Sequence, residues 1–130
     1  MINVLVVDDS KFVVHAMESI LEDLQYHVAG VAFDGLQAIE KHMDCVPDVT
    51  LLDITMPNMD GLECLCKIME ATPDARVVML SAVQDQETIA KCLECGAVGF
   101  LQKPIRKGNM DDLNRLCTAI SRALEGAKLR

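Results

Sequence analysis

Residues 51–61 read LLDITMPNMDG, and this stretch decides how the rest of the chain is interpreted. Two leucines lead directly into Asp53, and Pro57 and Gly61 then interrupt any regular element. An ionised carboxylate in an apolar site is costly unless it is paired or binds a metal. Asp53 is therefore either a strand-end residue that reaches water or a residue that another group neutralises.

Composition and charge restrict the classes of protein to which the chain can belong. Its 130 residues are 51% hydrophobic, which fits one globular domain with a sizeable core. The formal charge of −8 predicts no nucleic-acid binding and favours cations. No apolar run reaches the ~20 residues of a membrane span, and no basic region precedes the first apolar run. We therefore expect no membrane contact and a cytoplasmic location.

The six cysteines are expected to be reduced, structural thiols. Cys92 and Cys95 have the C-x-x-C spacing of a redox or zinc half-site. The pair falls in the middle of a predicted helix and lacks a second pair of ligands, so the spacing alone does not indicate a site.

Five short apolar runs alternate with five stretches of helical periodicity, a pattern that predicts βαβαβαβαβα. Continuous apolar runs are typical of parallel strands that are covered on both faces. The predicted fold class is therefore α/β, with a five-stranded parallel sheet in a doubly wound (βα)5 arrangement. The apolar runs are Ile2–Val7, Val28–Phe33, Val49–Leu52, Val77–Leu80 and Val98–Leu101.

Two aspartates are placed where helices should begin. Asp34 and Asp60 are followed three residues later by Gln37 and Glu63, the spacing of a capping box. Gly96 is expected to end the fourth helix.

Polar side chains follow four of the five predicted strands, where ligands of open α/β sheets bind. They are Asp8 and Asp9, Asp53, Ser81 with Ala82, and Lys103 before Pro104. Three neighbouring carboxylates repel one another unless a cation lies among them, and an all-oxygen ligand set favours Mg²⁺. A lysine can contact a phosphate oxygen. Taken singly, each residue is more simply explained as a helix cap or a solvated strand end, and Asp9 or Ser10 could cap the first helix.

The segments VLVVDDS, LLDITMPNMDG, MLSA and LQKP together resemble the receiver domain of two-component response regulators. The resemblance covers nearly the whole chain and is strongest for stand-alone chemotaxis regulators of the CheY type. It implies the flavodoxin-like strand order 2-1-3-4-5. It also implies a receiver domain over residues 1–126, followed by a frayed end over 127–130.

The resemblance further implies that Asp53 accepts a phosphoryl group from a histidine kinase. Mg²⁺ would be held by Asp9, Asp53 and the backbone carbonyl of Thr55, with Asp8 acting through water. The reaction would be self-catalysed phosphoryl acceptance and autodephosphorylation, so the chain would not otherwise be an enzyme.

Further residues are implied to sense the phosphoryl group. Lys103, Ser81 and Ala82 would contact it, and the peptide bond before Pro104 would be cis. Phe100 occupies the position of a switch aromatic residue, although it is as readily explained as a core phenylalanine. The expected output is a separate target protein that binds a face formed by the fourth helix, fifth strand and fifth helix. A monomer is expected.

Other functions remain open at this point. A phosphatase of the haloacid dehalogenase type requires a second aspartate where Thr55 stands, and a flavodoxin requires an anion-binding loop where Asp8 and Asp9 stand. A receiver that binds partners without phosphorylation would not need the acidic set. The chain could also be the receiver half of a longer regulator.

Overall fold

A computed structural model describes residues 1–81 and 86–128 of the chain. Strands and helices alternate within these residues as the apolar pattern predicts. Their bounds are β1 Asn3–Val7, α1 Lys11–Asp23, β2 His27–Ala32, α2 Gly35–Cys45, β3 Val49–Asp53, α3 Gly61–Ala71, β4 Val77–Ser81, α4 Gln86–Glu94, β5 Gly99–Gln102 and α5 Met110–Lys128.

The sheet is parallel and has the order β2-β1-β3-β4-β5, which confirms the predicted fold class and strand order. The register aligns the carboxyl ends of the central strands. Val7 of β1 pairs with Leu52 of β3, and Asp53 pairs with Leu80 of β4. Residues that immediately follow these strands are therefore brought to one side of the molecule.

Helices cover both faces of the sheet, because the central strands carry apolar side chains on both faces. One buried cluster joins the sheet to α1 and α5, and the other joins it to α2, α3 and α4. The largest fully buried side chains of the first cluster are Ile20, Leu21, Leu51, Leu80, Leu116 and Ile120. Those of the second are Leu5, Leu52, Leu65, Ile68 and Met79. The doubly wound arrangement is confirmed.

The predicted helix starts at Asp34 and Asp60 are confirmed. The Asp34 side chain accepts a hydrogen bond from the Gln37 backbone N–H at 2.8 Å, and Asp60 accepts one from Glu63 at 2.9 Å. For α1, the capping side chain is that of Ser10, which accepts a hydrogen bond from the Val13 N–H at 3.3 Å. Since Ser10 caps α1, capping does not account for Asp9.

Gly61 is required where α3 begins beside the end of β3. Its backbone N–H donates to the Ile54 carbonyl at 2.7 Å. A Cβ at this position would collide with the Asp53 carbonyl oxygen and would lie 2.6 Å from the Ile54 Cα. Only glycine avoids both contacts, so Gly61 allows the chain after Asp53 to turn back tightly into α3.

At the carboxyl end, the segment predicted to fray is only partly described. Residues 127 and 128 are assigned to α5, and residues 129 and 130 lie outside the described part. Among the helices of the described residues, none is long and apolar enough to cross a bilayer.

Candidate functional site

Three carboxylates meet at the carboxyl ends of β1 and β3. Asp8 and Asp53 are almost completely buried, at 1% and 3% exposure, whereas Asp9 is exposed. One carboxylate oxygen from each residue lies within 4.8 Å of the other two. The parallel register thus brings together three residues that the sequence separates by up to 45 positions.

Lys103 supplies the positive charge of this cluster. Its Nζ lies 2.7 Å from Asp8 Oδ2 and 3.3 Å from Asp53 Oδ1. The backbone N–H of Lys103 donates to the Ser81 carbonyl at 2.8 Å, which continues the pairing of β5 with β4. The peptide bond between Lys103 and Pro104 is cis. The two contacts of its Nζ show that Lys103 reaches both buried carboxylates at the sheet edge.

Backbone groups orient the two buried carboxylates. Asp8 Oδ1 accepts a hydrogen bond from the Ser10 N–H at 3.0 Å. Asp53 Oδ1 accepts a longer one, of 3.4 Å, from the Thr55 N–H. Asp8 is thus bound on both oxygens, by a backbone N–H and by Lys103, whereas the contacts of Asp53 with Lys103 and Thr55 are both longer than 3.2 Å.

The pKa values of Asp53 and Lys103 are both raised, but for different reasons. Burial, together with the negative charge of Asp8, raises the pKa of Asp53 from 3.8 to about 6, although Lys103 opposes the shift. Burial by itself lowers the pKa of Lys103, but its contacts with Asp8 and Asp53 outweigh burial and the net shift is upward. At neutral pH, Asp53 is therefore mainly ionised but unstable as an anion, which favours an additional positive charge beside it.

The donor set fits a hard divalent cation. Oxygens bound to one Mg²⁺ at about 2.0–2.1 Å lie about 2.9 Å apart when adjacent and about 4.2 Å apart when opposite, so carboxylate oxygens within 4.8 Å of one another are close enough to hold one ion directly or through water. Their ligand atoms are all oxygens, which Mg²⁺ prefers over softer ligands. The exposure of Asp9 leaves one side of the cluster open to water molecules, which Mg²⁺ retains. The acidic cluster could therefore hold Mg²⁺.

The remaining residues predicted for the site are placed as follows. Ser81 is buried at the end of β4, where it pairs with Gln102 of β5. Thr55 is exposed just beyond Asp53. Ala82 lies outside the described residues. Phe100 is 50% exposed on β5, so its interpretation as a core phenylalanine is wrong.

Sequence reasoning missed the residue that anchors the loop after Lys103. Asp112, near the start of α5, is 2% exposed. Its Oδ2 accepts hydrogen bonds from the Arg106 N–H at 3.0 Å and from Arg106 Nε at 2.7 Å, and its Oδ1 accepts one from Arg115 at 2.8 Å. These contacts, the Arg106 side chain first, hold the pKa of Asp112 well below its usual range. The acidic first turn of α5 was the only sequence signal for this anchor.

Known proteins are similar to this chain in sequence and in fold. A family model described as the response regulator receiver domain matches residues 4–115. The chemotaxis protein CheY of Listeria monocytogenes is 40% identical over 106 residues, which cover 82% of this chain and 89% of the relative.

Two solved structures support the same comparison. The CheX–CheY–BeF3–Mg complex from Borrelia burgdorferi contains a chain 38% identical to this one, with a TM-score of 0.82 over 90% of this chain and 87% of that chain. The response regulator domain of Thermotoga maritima CheB is 37% identical, with a TM-score of 0.86 over 96% and 97% of the two chains.

The raised pKa of Asp53 predicts a pH-dependent effect of Asp53→Asn on stability, measured in EDTA. The folded protein retains a proton on Asp53 up to pH about 6, whereas the unfolded chain loses it near 3.8. Ionisation of Asp53 therefore destabilises the fold between these values. We expect Asp53→Asn to increase the free energy of unfolding by about 1–3 kcal/mol at pH 7.5, and this gain to shrink progressively toward pH 4.

Urea unfolding of both proteins across this pH range measures the difference. The exposed Asp44 provides a control, since Asp44→Asn removes a charge of the same type away from the cluster. A gain from Asp53→Asn that does not change with pH would contradict burial as the origin of the shift.

Proposed function

Because this chain belongs to the family of response regulator receiver domains, we propose that it accepts a phosphoryl group on Asp53 in the presence of Mg²⁺. The observation that carries the proposal is the buried carboxylate of Asp53 at the end of β3, with Lys103 at 3.3 Å and two further carboxylates within 4.8 Å. In the resemblance to receiver domains, Asp53 is the expected nucleophile and Lys103 the expected contact for a phosphoryl oxygen. Asp8 and Asp9 are the expected metal ligands besides Asp53.

The chemistry follows from the position of each group. A carboxylate oxygen of Asp53 attacks the phosphorus of a phosphohistidine on a histidine kinase, so that a P–O bond forms and the P–N bond breaks. Bound Mg²⁺ would neutralise negative charge on the phosphoryl oxygens. Asp9 and Asp53 would be its direct ligands with the Thr55 carbonyl, and Asp8 would act through water.

Lys103 is the proposed contact for a phosphoryl oxygen. In the structure its ammonium is shared by Asp8 and Asp53, and the distance to Asp53 is the longer of the two. A phosphoryl group on Asp53 would bring more negative charge within reach of the same ammonium. Ser81, at the end of the neighbouring strand, is the proposed hydroxyl contact, with Ala82 following it.

Asp53→Ala is expected to abolish phosphorylation, because the nucleophilic oxygen is lost. Wild-type protein incubated with acetyl phosphate and Mg²⁺ should gain about 80 Da, the mass of one phosphoryl group. Intact-mass spectrometry measures the adduct, and Asp44→Ala, at an exposed site on α2, should still gain it. Retention of the adduct by Asp53→Ala would assign the nucleophile to a different residue.

Asp9→Ala is expected to weaken Mg²⁺ binding at least tenfold, since a direct ligand is removed while the buried carboxylates remain. Binding to the wild type should also weaken as the pH falls below about 6, because Asp53 becomes protonated. Isothermal titration calorimetry measures both effects, again with Asp44→Ala as the control. Unchanged affinity in Asp9→Ala would place the cation outside the carboxylate cluster.

The proposed output surface is formed by α4, β5 and α5. Phe100 and Leu93 are 50% and 45% exposed there. They line an apolar pocket together with Gln86, Ile89 and Ala90. Apolar side chains exposed together on one surface are suited to binding a partner protein. The CheY chain in the Borrelia burgdorferi structure is in complex with another protein, CheX, which supports a separate target protein for this chain as well.

Phosphorylation would change this surface through β4. Ser81 ends the strand that pairs with β5, and α4 follows it along the chain. Movement of Ser81 toward a phosphoryl group would alter the start of α4 and the packing of Phe100, which is a change between two packed states. The differential interaction of the phosphoryl group with these states, typically about 1–3 kcal/mol, drives the change.

Beryllofluoride, a mimic of the phosphoryl group, should therefore shift amide NMR signals of α4 and Phe100 as well as those around Asp53. Asp53→Asn provides the control, because it lacks the charged oxygen to which the mimic attaches, and its spectrum should not change. Shifts confined to the loops that carry Asp9 and Asp53 would exclude an output surface on α4, β5 and α5.

A further inference from the structure

Two of the six cysteines form a pair away from the carboxylate cluster. Cys66 lies on α3, and Cys95 directly follows the last residue of α4. Their Sγ atoms are 2.7 Å apart, although the residues are separated by 29 positions. Both side chains are partly buried, and both cysteines are free thiols in the structure.

The C-x-x-C spacing of Cys92 and Cys95 therefore does not identify the two sulfur atoms that are in contact in the structure. The sequence placed Cys92 and Cys95 together in the middle of a helix, but α4 ends at Glu94 and the partner of Cys95 is Cys66. Cys92 is completely buried in the core between the sheet and α2, α3 and α4. Its burial raises the pKa of the Cys92 thiol to about 11.

The end of α4 holds Cys95 in a defined position. The backbone N–H of Cys95 donates to the Lys91 carbonyl at 3.0 Å, and that of Ala97 donates to the Cys92 carbonyl at 3.0 Å. Gly96 between them has a φ of +114°, which a residue with a side chain rarely adopts. The Cys95 thiol is thus presented to α3 by a regular helix ending.

We propose that Cys66 and Cys95 are an oxidation site at which an intramolecular disulfide links α3 to the end of α4. The geometry carries the proposal, because the two sulfur atoms need only a small further approach to reach bonding distance. The oxidant is a low-molecular-weight disulfide such as oxidised glutathione.

The reaction consists of two thiol–disulfide exchanges. The thiolate of one cysteine attacks oxidised glutathione, forming a mixed disulfide and releasing one glutathione thiolate. The thiolate of the second cysteine attacks the protein sulfur of that mixed disulfide and releases the second glutathione. The two cysteines together lose two protons and two electrons, and oxidised glutathione is reduced to two molecules of glutathione.

The contact between the thiols also affects how fast this exchange proceeds. The hydrogen bond with Cys95, followed by burial, raises the pKa of the Cys66 thiol to about 11. Because the thiolate is the nucleophile, oxidation is expected to be slow at neutral pH and is best carried out near pH 8.5.

The disulfide would restrict the position of α4 relative to α3. It closes a loop that contains all of β4 and α4 and the second half of α3, which reduces the conformational freedom of the unfolded chain. We expect the melting temperature of the oxidised protein to be about 5–10 °C higher than that of the reduced protein.

Thiol counting after treatment with oxidised glutathione tests the proposal. Alkylation with iodoacetamide under denaturing conditions should modify four cysteines instead of six. After trypsin digestion, peptide 42–67 should be joined to peptide 92–106, because trypsin does not cleave Lys103 before Pro104. Six alkylated cysteines, a persistent glutathione adduct or a disulfide between two protein molecules would each overturn it.

Serine variants identify the two sulfur atoms. Cys66→Ser and Cys95→Ser should each lose the intramolecular disulfide and the rise in melting temperature. Cys117→Ser is the matched control, because it removes another partly buried thiol on α5 and should retain both. A disulfide that persists in Cys66→Ser, for example between Cys92 and Cys95, would overturn the assignment.

Discussion

The burial of the Asp53 carboxylate beside Asp8 is the constraint on which the rest of the site depends. Two buried negative charges repel each other and are poorly solvated, and in the structure one ammonium group, that of Lys103, contacts both. Burial and the negative charge of Asp8 raise the pKa of Asp53, and Lys103 at 3.3 Å opposes this rise only in part. A carboxylate in this condition is stabilised by a further cation, and the proposed phosphorylation would convert it into an acyl phosphate.

The fold keeps this unfavourable arrangement in place through contacts outside the cluster. Asp53 belongs to a central strand that is buried on both faces, so its backbone cannot move toward water. Gly61 lets α3 begin against the end of that strand. Asp112 anchors the loop after Lys103 through Arg106. The packed core therefore supplies the stability that the charged site lacks.

Helix α4 takes part in both the proposed response to phosphorylation and the proposed disulfide. It follows β4, whose last residue is Ser81, and it carries part of the apolar surface around Phe100. At its other end, Cys95 contacts Cys66 on α3. A phosphoryl group would act near the first turn of α4, and a disulfide would restrain the last turn. Both would thus act on the position of the same helix, from opposite ends and by different chemistry.

Local pattern was sufficient to predict the order of strands and helices, because apolar periodicity and capping residues act over a few neighbours. It also identified Asp8, Asp9, Asp53 and Lys103, since residues after parallel strands must meet at one edge of the sheet. The sheet order and the roles of these residues came from the family resemblance. The structure then confirmed the order and showed the four side chains together.

Other features depended on distances between residues that are remote in sequence. Local pattern could not show that Lys103 binds Asp8 more closely than Asp53, that Asp112 anchors the preceding loop, or that Phe100 is half exposed. Local pattern showed only the C-x-x-C spacing of Cys92 and Cys95, whereas packing of α3 against α4 brings Cys66 to Cys95. Sequence spacing determines which residues share an element, but only the packing of elements decides which side chains meet, how deeply they are buried and which charges they share.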